Sequence, residues 1–286
     1  MPDICVAHLV REQNGTEPLQ AFLKSYAEHP AGIKHKLLII FKGFKQEQHS
    51  AAYHALFNNI SYESLHVPDR GFDLGSYFTA AQKFGDEYFC FLNSHSTILG
   101  EHWLAKMHEH ITRSGVGVVS AAGNYESYYT NLRQATQPAT ERFFAHRITK
   151  DYLKQRALAK AEANFDPFPN PHIRTNAFML ARETMLKLAA GPFRTKMDCY
   201  RFESGKNGLT RQLADMNLRA LVVGRDGNAY EKEEWFESAT FRSGEQRNLL
   251  ISDNQTRHYM ETDPVRKKWL AEVSWGTAHS NQRDMG

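Results

Sequence analysis

The chain has little cysteine. Cys5, Cys90 and Cys199 are its only three cysteines in 286 residues, and no two lie close enough to form a CxxC motif. That spacing excludes a paired-cysteine redox centre and leaves buried, reduced thiols as the expected state, which suits a reducing compartment. Long apolar runs are also missing, since no segment approaches eighteen uninterrupted apolar residues. The opening MPDICVAHLVREQNG has neither a basic start nor the extended apolar core of an export signal. A soluble, unexported, cytoplasmic protein without a transmembrane segment is therefore expected. An excess of one charge is absent too: 35 Lys and Arg against 32 Asp and Glu leave a formal charge of +3. This gives no electrostatic case for a nucleic-acid partner, although a local basic pocket for phosphate stays open.

Three nucleotide and hydrolase signatures are missing as well. A dinucleotide dehydrogenase needs Gly-x-Gly-x-x-Gly between its first strand and helix, and VREQNGTEP does not supply it. The Gly-x-Ser-x-Gly nucleophile elbow is absent. HLVREQNG also lacks the Gly-rich basic loop that a sugar nucleotidyltransferase carries after its first strand.

What the chain does have is a full core and a regular alternation. Hydrophobic residues make up 41% and aromatic residues 12% of it, enough for one large domain. ICVAHLV reads as a short buried strand. TEPLQAFLKSYAEH then offers Thr16 as a cap, with Leu19, Phe22, Leu23 and Tyr26 at helical spacing. The pattern recurs through KLLIIFK, QEQHSAAYHALFNN, ESLHV, DLGSYFTAAQKFG, EYFCFLN, GEHWLAKMHEHITRSG and VGVVSAAG. Strands separated by helices predict an α/β fold with a mostly parallel sheet covered on both faces. Ligands in such sheets bind beyond the carboxyl ends of the strands. The tips to inspect are thus 8–11, 42–44, 69–73, 93–96 and 121–124.

After Asn124 the alternation breaks. An aromatic and basic stretch, a helix near 150–163 and a Pro-rich loop at 166–172 read as an excursion that shapes a cleft. IRTNAFMLARETMLKLAAG returns to strand and helix, and a helix ending near Asn217 precedes a further strand. From Tyr230 onward the chain is polar, with Trp235, Phe236, Phe241, Trp269 and Trp275 as anchors of a tail that wraps the domain.

The tip FLNSHS sits where GT-A-type glycosyltransferases carry an Asp-x-Asp motif. GPFRTKMDCYRFESGKNGLTRQLADMNLRALVVG resembles their acceptor-side segment, and NPHIRTNAFMLARE is similar to the strand before it. RGFDLGSY is similar to a Gly-containing stretch near the nucleotide and phosphates in many members. The resemblance spans roughly residues 3–226 and rests on the order of weak motifs. It implies a Rossmann-like GT-A domain over 1–229, divided into a nucleotide-sugar half (1–124) and an acceptor half (125–229), with a wrapping extension at 230–286. It also implies a hexosyl- or deoxyhexosyltransferase, inverting by preference, that moves sugar from a nucleotide-sugar donor to a glycan or lipid-linked acceptor. Assembly of a bacterial-type surface polysaccharide is the matching role.

On the donor side the resemblance points to His8, Arg11, Lys42, Asp69, Asp73, Asn93, Ser94, His95, Arg174, Asn176 and His258. His8 and Arg11 fall at the first strand's tip, and Asp73 reads either as a donor contact or as the cap of the following helix. Asn93-Ser94-His95 replaces the family's carboxylates. A divalent ion, manganese or magnesium, then has His95 as its candidate ligand, and the alternative is a metal-independent site in which His95, Lys42 or an arginine meets the diphosphate. Glu203, read as lying just before a helix that begins near Lys206, is the candidate general base; an exposed acid favoured by a helix amino terminus is the other reading. Asp198 is the reserve. Tyr125, Tyr128 and Tyr129 either stack on sugar or pack. The loss of the carboxylates also favours a second function, a catalytically degenerate carbohydrate-binding or scaffolding protein.

Overall fold

The computed structural model describes residues 3–45, 47–136 and 147–277, the side chains of 47–49 and 147–151 excepted. The first half follows the predicted alternation. β1 (Ile4–Arg11) leads to α1 (Glu17–Glu28), and β2 (Lys36–Lys42) to α2 (Glu47–His54). β3 (Glu63–Val67) leads to α3 (Phe72–Lys83), and β4 (Tyr88–Leu92) to the two-residue β5 (Thr97–Ile98) and α4 (Trp103–Ile111). β6 (Val116–Ser120) and the short β7 (Gly123–Asn124) close this half. The excursion contains α5 (Tyr128–Thr136) and α6 (Arg147–Asn164), then β8 (His172–Ile173) and β9 (Ala177–Ala181). Three helices follow, α7 (Arg182–Lys187), α8 (Lys196–Ser204) and α9 (Leu209–Asp215), before β10 (Arg219–Val223) and β11 (Ala229–Tyr230). The tail adds β12 (Ile251–Ser252), α10 (Asn254–Glu261) and α11 (Pro264–Trp275).

Eight strands form one sheet in the order β11-β10-β6-β9-β4-β1-β2-β3. β3, β2, β1 and β4 are mutually parallel, β9 runs antiparallel between β4 and β6, and β10 is parallel to β6. The expected mostly parallel, helix-flanked α/β sheet is present, and the reversed β9 is an addition that local patterning does not reveal. Two antiparallel pairs, β5 with β12 and β7 with β8, bind the tail and the excursion to the carboxyl edge of the sheet.

Period-two alternation divides the core into two layers. In β1, Ile4, Val6 and Val10 pack with α1 and α4 residues such as Phe22, Trp103 and Met107. Cys5, Ala7 and Leu9 face the opposite layer with Tyr77, Phe178 and Trp235. Both faces of a strand covered in this way explain its nearly continuous apolar sequence. Thr16 occupies the α1 cap position but makes no capping bond; Pro18 in the first turn sets the local backbone instead. Of the five tail anchors, Trp235, Phe236, Phe241 and Trp275 are buried in the sheet's own core, and Trp269 is 44% exposed. Among the described residues no helix is long and apolar enough to cross a membrane. All three cysteines are free thiols, with Cys5 and Cys90 buried.

Candidate functional site

At the carboxyl ends of β1 to β3 a cavity of about 820 Å³ opens between the loop preceding α3 and the segment 192–194. Arg11, at the end of β1, forms two hydrogen bonds to Asp69, at 2.9 and 2.8 Å, which fasten the β1 and β3 ends together. Each partner acts on the other: the Arg11 guanidinium holds the Asp69 carboxyl below its ordinary range, and Asp69 raises Arg11. Lys42, at the end of β2, is almost wholly buried and donates to Arg70 O at 2.6 Å, Phe72 O at 3.0 Å and Ser76 Oγ at 3.2 Å. Those are all three ammonium protons, so Lys42 is a strut for the loop rather than the free phosphate ligand expected. The loop needs one. Gly71 and Phe72 have consecutive positive φ values of 78° and 49°, a conformation that costs free energy and persists only where neighbours hold it.

Asp73 also lines this cavity but does not cap α3. It lies inside the helix, Gly71 occupies the cap position, and no side chain caps the turn. Burial raises the Asp73 carboxyl above its ordinary value, with Lys42, Arg11 and His95 opposing that rise. Arg70, Lys83 and Arg194 add exposed cations to the lining. The cavity thus gathers Arg11, Lys42, Asp69 and Asp73, with positive side chains outnumbering carboxylates.

The turn after β4 explains NSHS. Asn93 Oδ1 accepts from the backbone N–H of His95 at 3.0 Å and from Ser96 Oγ at 3.1 Å, so its side chain bends the chain as it leaves the sheet. Ser94 is buried and accepts from Asn14 Nδ2 at 2.8 Å, which ties the turn to the β1–α1 connection. His95 is half-buried, and its ring makes no hydrogen bond to a described residue. Burial, then the charge of Arg257, lowers its basicity, leaving a neutral ring near neutral pH. Asp73 and His95 influence each other electrostatically.

Beside it, the start of β9 supplies a second group. The Asn176 carbonyl accepts from Asn93 N at 2.9 Å, while both polar atoms of its buried amide find no partner among the described residues. Arg174 donates to the buried Asp253 at 3.0 Å, stacks on Phe241 at 4.3 Å, and leaves its Nη1 unpartnered. Glu203 reaches the same edge: its Oε2 accepts from Thr175 N at 2.9 Å and from Thr175 Oγ1, and Oε1 has no bond to a described residue. Buried polar atoms without partners are costly in a folded protein and mark places where water or ligand completes the bonding.

Several expectations are corrected. His8 is not at the tip; it lies inside β1, fully buried and stacked on Phe22 at 3.7 Å, where burial drops its pKa to about 3. Glu203 lies in the last turn of α8, not ahead of a helix, and the next helix begins at Leu209 rather than near Lys206. The helix-amino-terminus reading of Glu203 therefore fails. Asp198 forms the α8 capping box with Thr195 and also pairs with Arg201 at 3.2 Å, which accounts for both oxygens. His258 is exposed on α10. Its neighbour Arg257 faces the site instead, donating to the His95 carbonyl at 3.1 and 3.2 Å and to Thr97 Oγ1 at 2.7 Å. The sequence signal for this is Asp253, a cap residue four positions ahead, since a cap fixes which residues of the first turn face inward. The three tyrosines pack: Tyr125 against Trp275, Tyr128 against Phe165, and Tyr129 bonded to Glu162.

No family model and no curated protein sequence matches the chain. Among solved structures, a mannosyltransferase from Pyrobaculum calidifontis in complex with GDP-Man and Mn2+ aligns at 14% identity and a TM-score of 0.47, over 96% of this chain and 70% of that one. A 4-diphosphocytidyl-2C-methyl-D-erythritol synthase from Anaerococcus prevotii aligns at 10% identity and 0.43, over 78% and 88%. S. aureus TarS, residues 1–349 with UDP-GlcNAc, aligns at 11% identity and 0.32, over 41% of this chain and 33% of that one.

Proposed function

We propose that this chain is a GT-A-type glycosyltransferase that moves a hexosyl or deoxyhexosyl group from a nucleotide-sugar donor to a glycan or lipid-linked acceptor, in assembly of a bacterial-type surface polysaccharide. The observation that carries the reading is the cation-rich cavity at the ends of β1 to β3, taken with the unpartnered Asn176 amide and Arg174 Nη1 at the start of β9. The cavity's volume suits a nucleoside diphosphate, and the unpartnered polar atoms at the β9 start suit sugar hydroxyls.

In this reading the reaction inverts. The free Oε1 of Glu203 takes the proton of an acceptor hydroxyl, whose oxygen bonds to the anomeric carbon as the bond from that carbon to the diphosphate breaks. Arg174 and Arg257, with Arg11 and Arg70 at the cavity, offset the charge gathering on the leaving diphosphate. Among the described residues no group of three or more His, Cys, Asp and Glu converges on a metal position. His95, with a neutral ring, would be the residue to hold a divalent ion, a role that suits manganese better than magnesium because imidazole is a poor ligand for magnesium, and the ion would supply positive charge to the diphosphate.

The test is thermal-shift binding of uridine, guanosine, thymidine and cytidine diphosphates, each with manganese and with chelator. Stabilisation by one of them, lost in Arg70→Ala, is the expected result. Dependence on manganese that disappears in His95→Ala would assign the ion to His95. No shift with any nucleotide would reject the donor site in favour of the second reading, a carbohydrate-binding protein on a degenerate fold, which the missing carboxylates at 93–95 favour.

A further inference from the structure

The other three tryptophans are buried, whereas Trp269 is 44% exposed. It stands at the mouth of a separate cavity of about 510 Å³ between α5 and α11, which shares no residue with the cavity at the ends of β1 to β3. Helical spacing builds both walls. Trp269 and Glu272 are three apart on α11, and Asn131 and Gln134 are three apart on α5. Tyr125 and Phe168 complete the aromatic surface.

The polar groups here are available. Gln134 and Glu272 make no side-chain hydrogen bond to a described residue, and Asn131 commits only its Nδ2, to Glu126 at 2.8 Å. Among the described residues neither lysine nor arginine lines the cavity, although Arg266 stacks on the Trp269 ring at 4.0 Å and steadies it. A phosphate or other anion would therefore meet the Glu272 carboxylate with no described lysine or arginine in the lining. A wholly apolar ligand would leave the amides and the carboxylate unpaired. Neutral saccharide matches on both counts, because a pyranose presents C–H groups to an aromatic face and a rim of hydroxyls that both donate and accept.

We propose that the α5–α11 cavity is a binding site for a neutral saccharide, distinct from the donor cavity and independent of whether the chain transfers sugar. Trp269, 44% exposed with Arg266 on its ring, is the stacking platform through the face away from Arg266. Gln134, Asn131 and Glu272 read the hydroxyls.

The full chain is tested on an array of immobilised neutral and acidic glycans, followed by tryptophan-fluorescence titration with any neutral oligosaccharide that binds. Wild type is expected to bind at least one neutral glycan, with affinity falling roughly tenfold or more in Trp269→Ala and in Glu272→Ala, while thermal melts stay close to wild type. Arg70→Ala, on the donor cavity, should leave this binding unchanged. Failure of every neutral glycan to bind overturns the proposal. So does binding indifferent to both substitutions in folded protein, or binding displaced by nucleoside diphosphates, which would place it in the donor cavity. Loss of nucleotide binding alone would count against the transferase reading and leave this site standing.

Discussion

At the scale of single residues, two side chains separate burial from chemistry. His8 is enclosed with a pKa near 3, far below the ordinary value near 6.5. Above pH 6.5 the ring is neutral in folded and unfolded chains and contributes no pH dependence. As pH falls from 6.5 toward 3, only the unfolded chain takes up the proton, so stability drops by up to about 1.4 kcal/mol per pH unit. Denaturant unfolding at pH 7.5 and 4.5 should show this slope in wild type and a slope shallower by about one proton in His8→Leu. An unchanged slope would show that His8 is already protonated or solvated in the folded state. Glu203 is the opposite case, an acid anchored through one oxygen with the other free. Glu203→Gln keeps an oxygen to accept from Thr175, so folding should survive. Donor turnover should nevertheless fall about 10²- to 10⁴-fold, the span of general base catalysis. Turnover within a factor of three of wild type would remove Glu203 from the reaction. The motif resemblance singles out both positions, but local sequence does not show that His8 points into the core while Glu203 reaches the loop before β9.

At the scale of elements, the loop before α3 and the tail helix α10 decide the site. Gly71 has φ of +78°, and a Cβ there would come 3.3 Å from Gly75 Cα. Gly71→Ala should therefore cost about 1–2 kcal/mol and weaken nucleotide binding, because the displaced loop carries the carbonyls that Lys42 holds. Gly85 is the control: a Cβ there meets nothing within 4 Å, and Gly85→Ala should stay within about 0.5 kcal/mol of wild type by chemical denaturation. Equal effects would mean that the left-handed turn is not what shapes the cavity. For α10, Asp253 caps the helix through Gln255 N and Thr256 N and also pairs with Arg174. One buried carboxylate thus sets both the helix start and the arginine at the β9 edge. The strand and helix succession was legible because apolar periodicity is local. The placement of α10 beside the β4 turn was not, since its partners Thr97 and His95 lie about 160 residues away in the chain.

At the scale of the whole molecule, the tail is part of the fold's core. Trp235, Phe241 and Trp275 pack in the same layer as Tyr77, Phe178 and Val222 of the helices and sheet, and Leu250 and Ile251 join the other layer. A chain cut after residue 229 should therefore lose the cooperative thermal transition of the full chain, since several large buried side chains each contribute on the order of 1.5–3 kcal/mol. A sharp transition near the full chain's midpoint would instead make 230–286 a detachable extension. The sequence by itself determined the alternating α/β succession, the burial of the central strands on both faces and the carboxyl-edge tips worth inspecting, because all three follow from short-range apolar patterning. Only the tertiary structure decided that β9 enters the sheet reversed, that Arg257 rather than His258 meets the β4 turn, and that Lys42 is a strut. Each of those depends on contacts between segments distant in the chain, and local periodicity carries no record of which distant partner a side chain will meet.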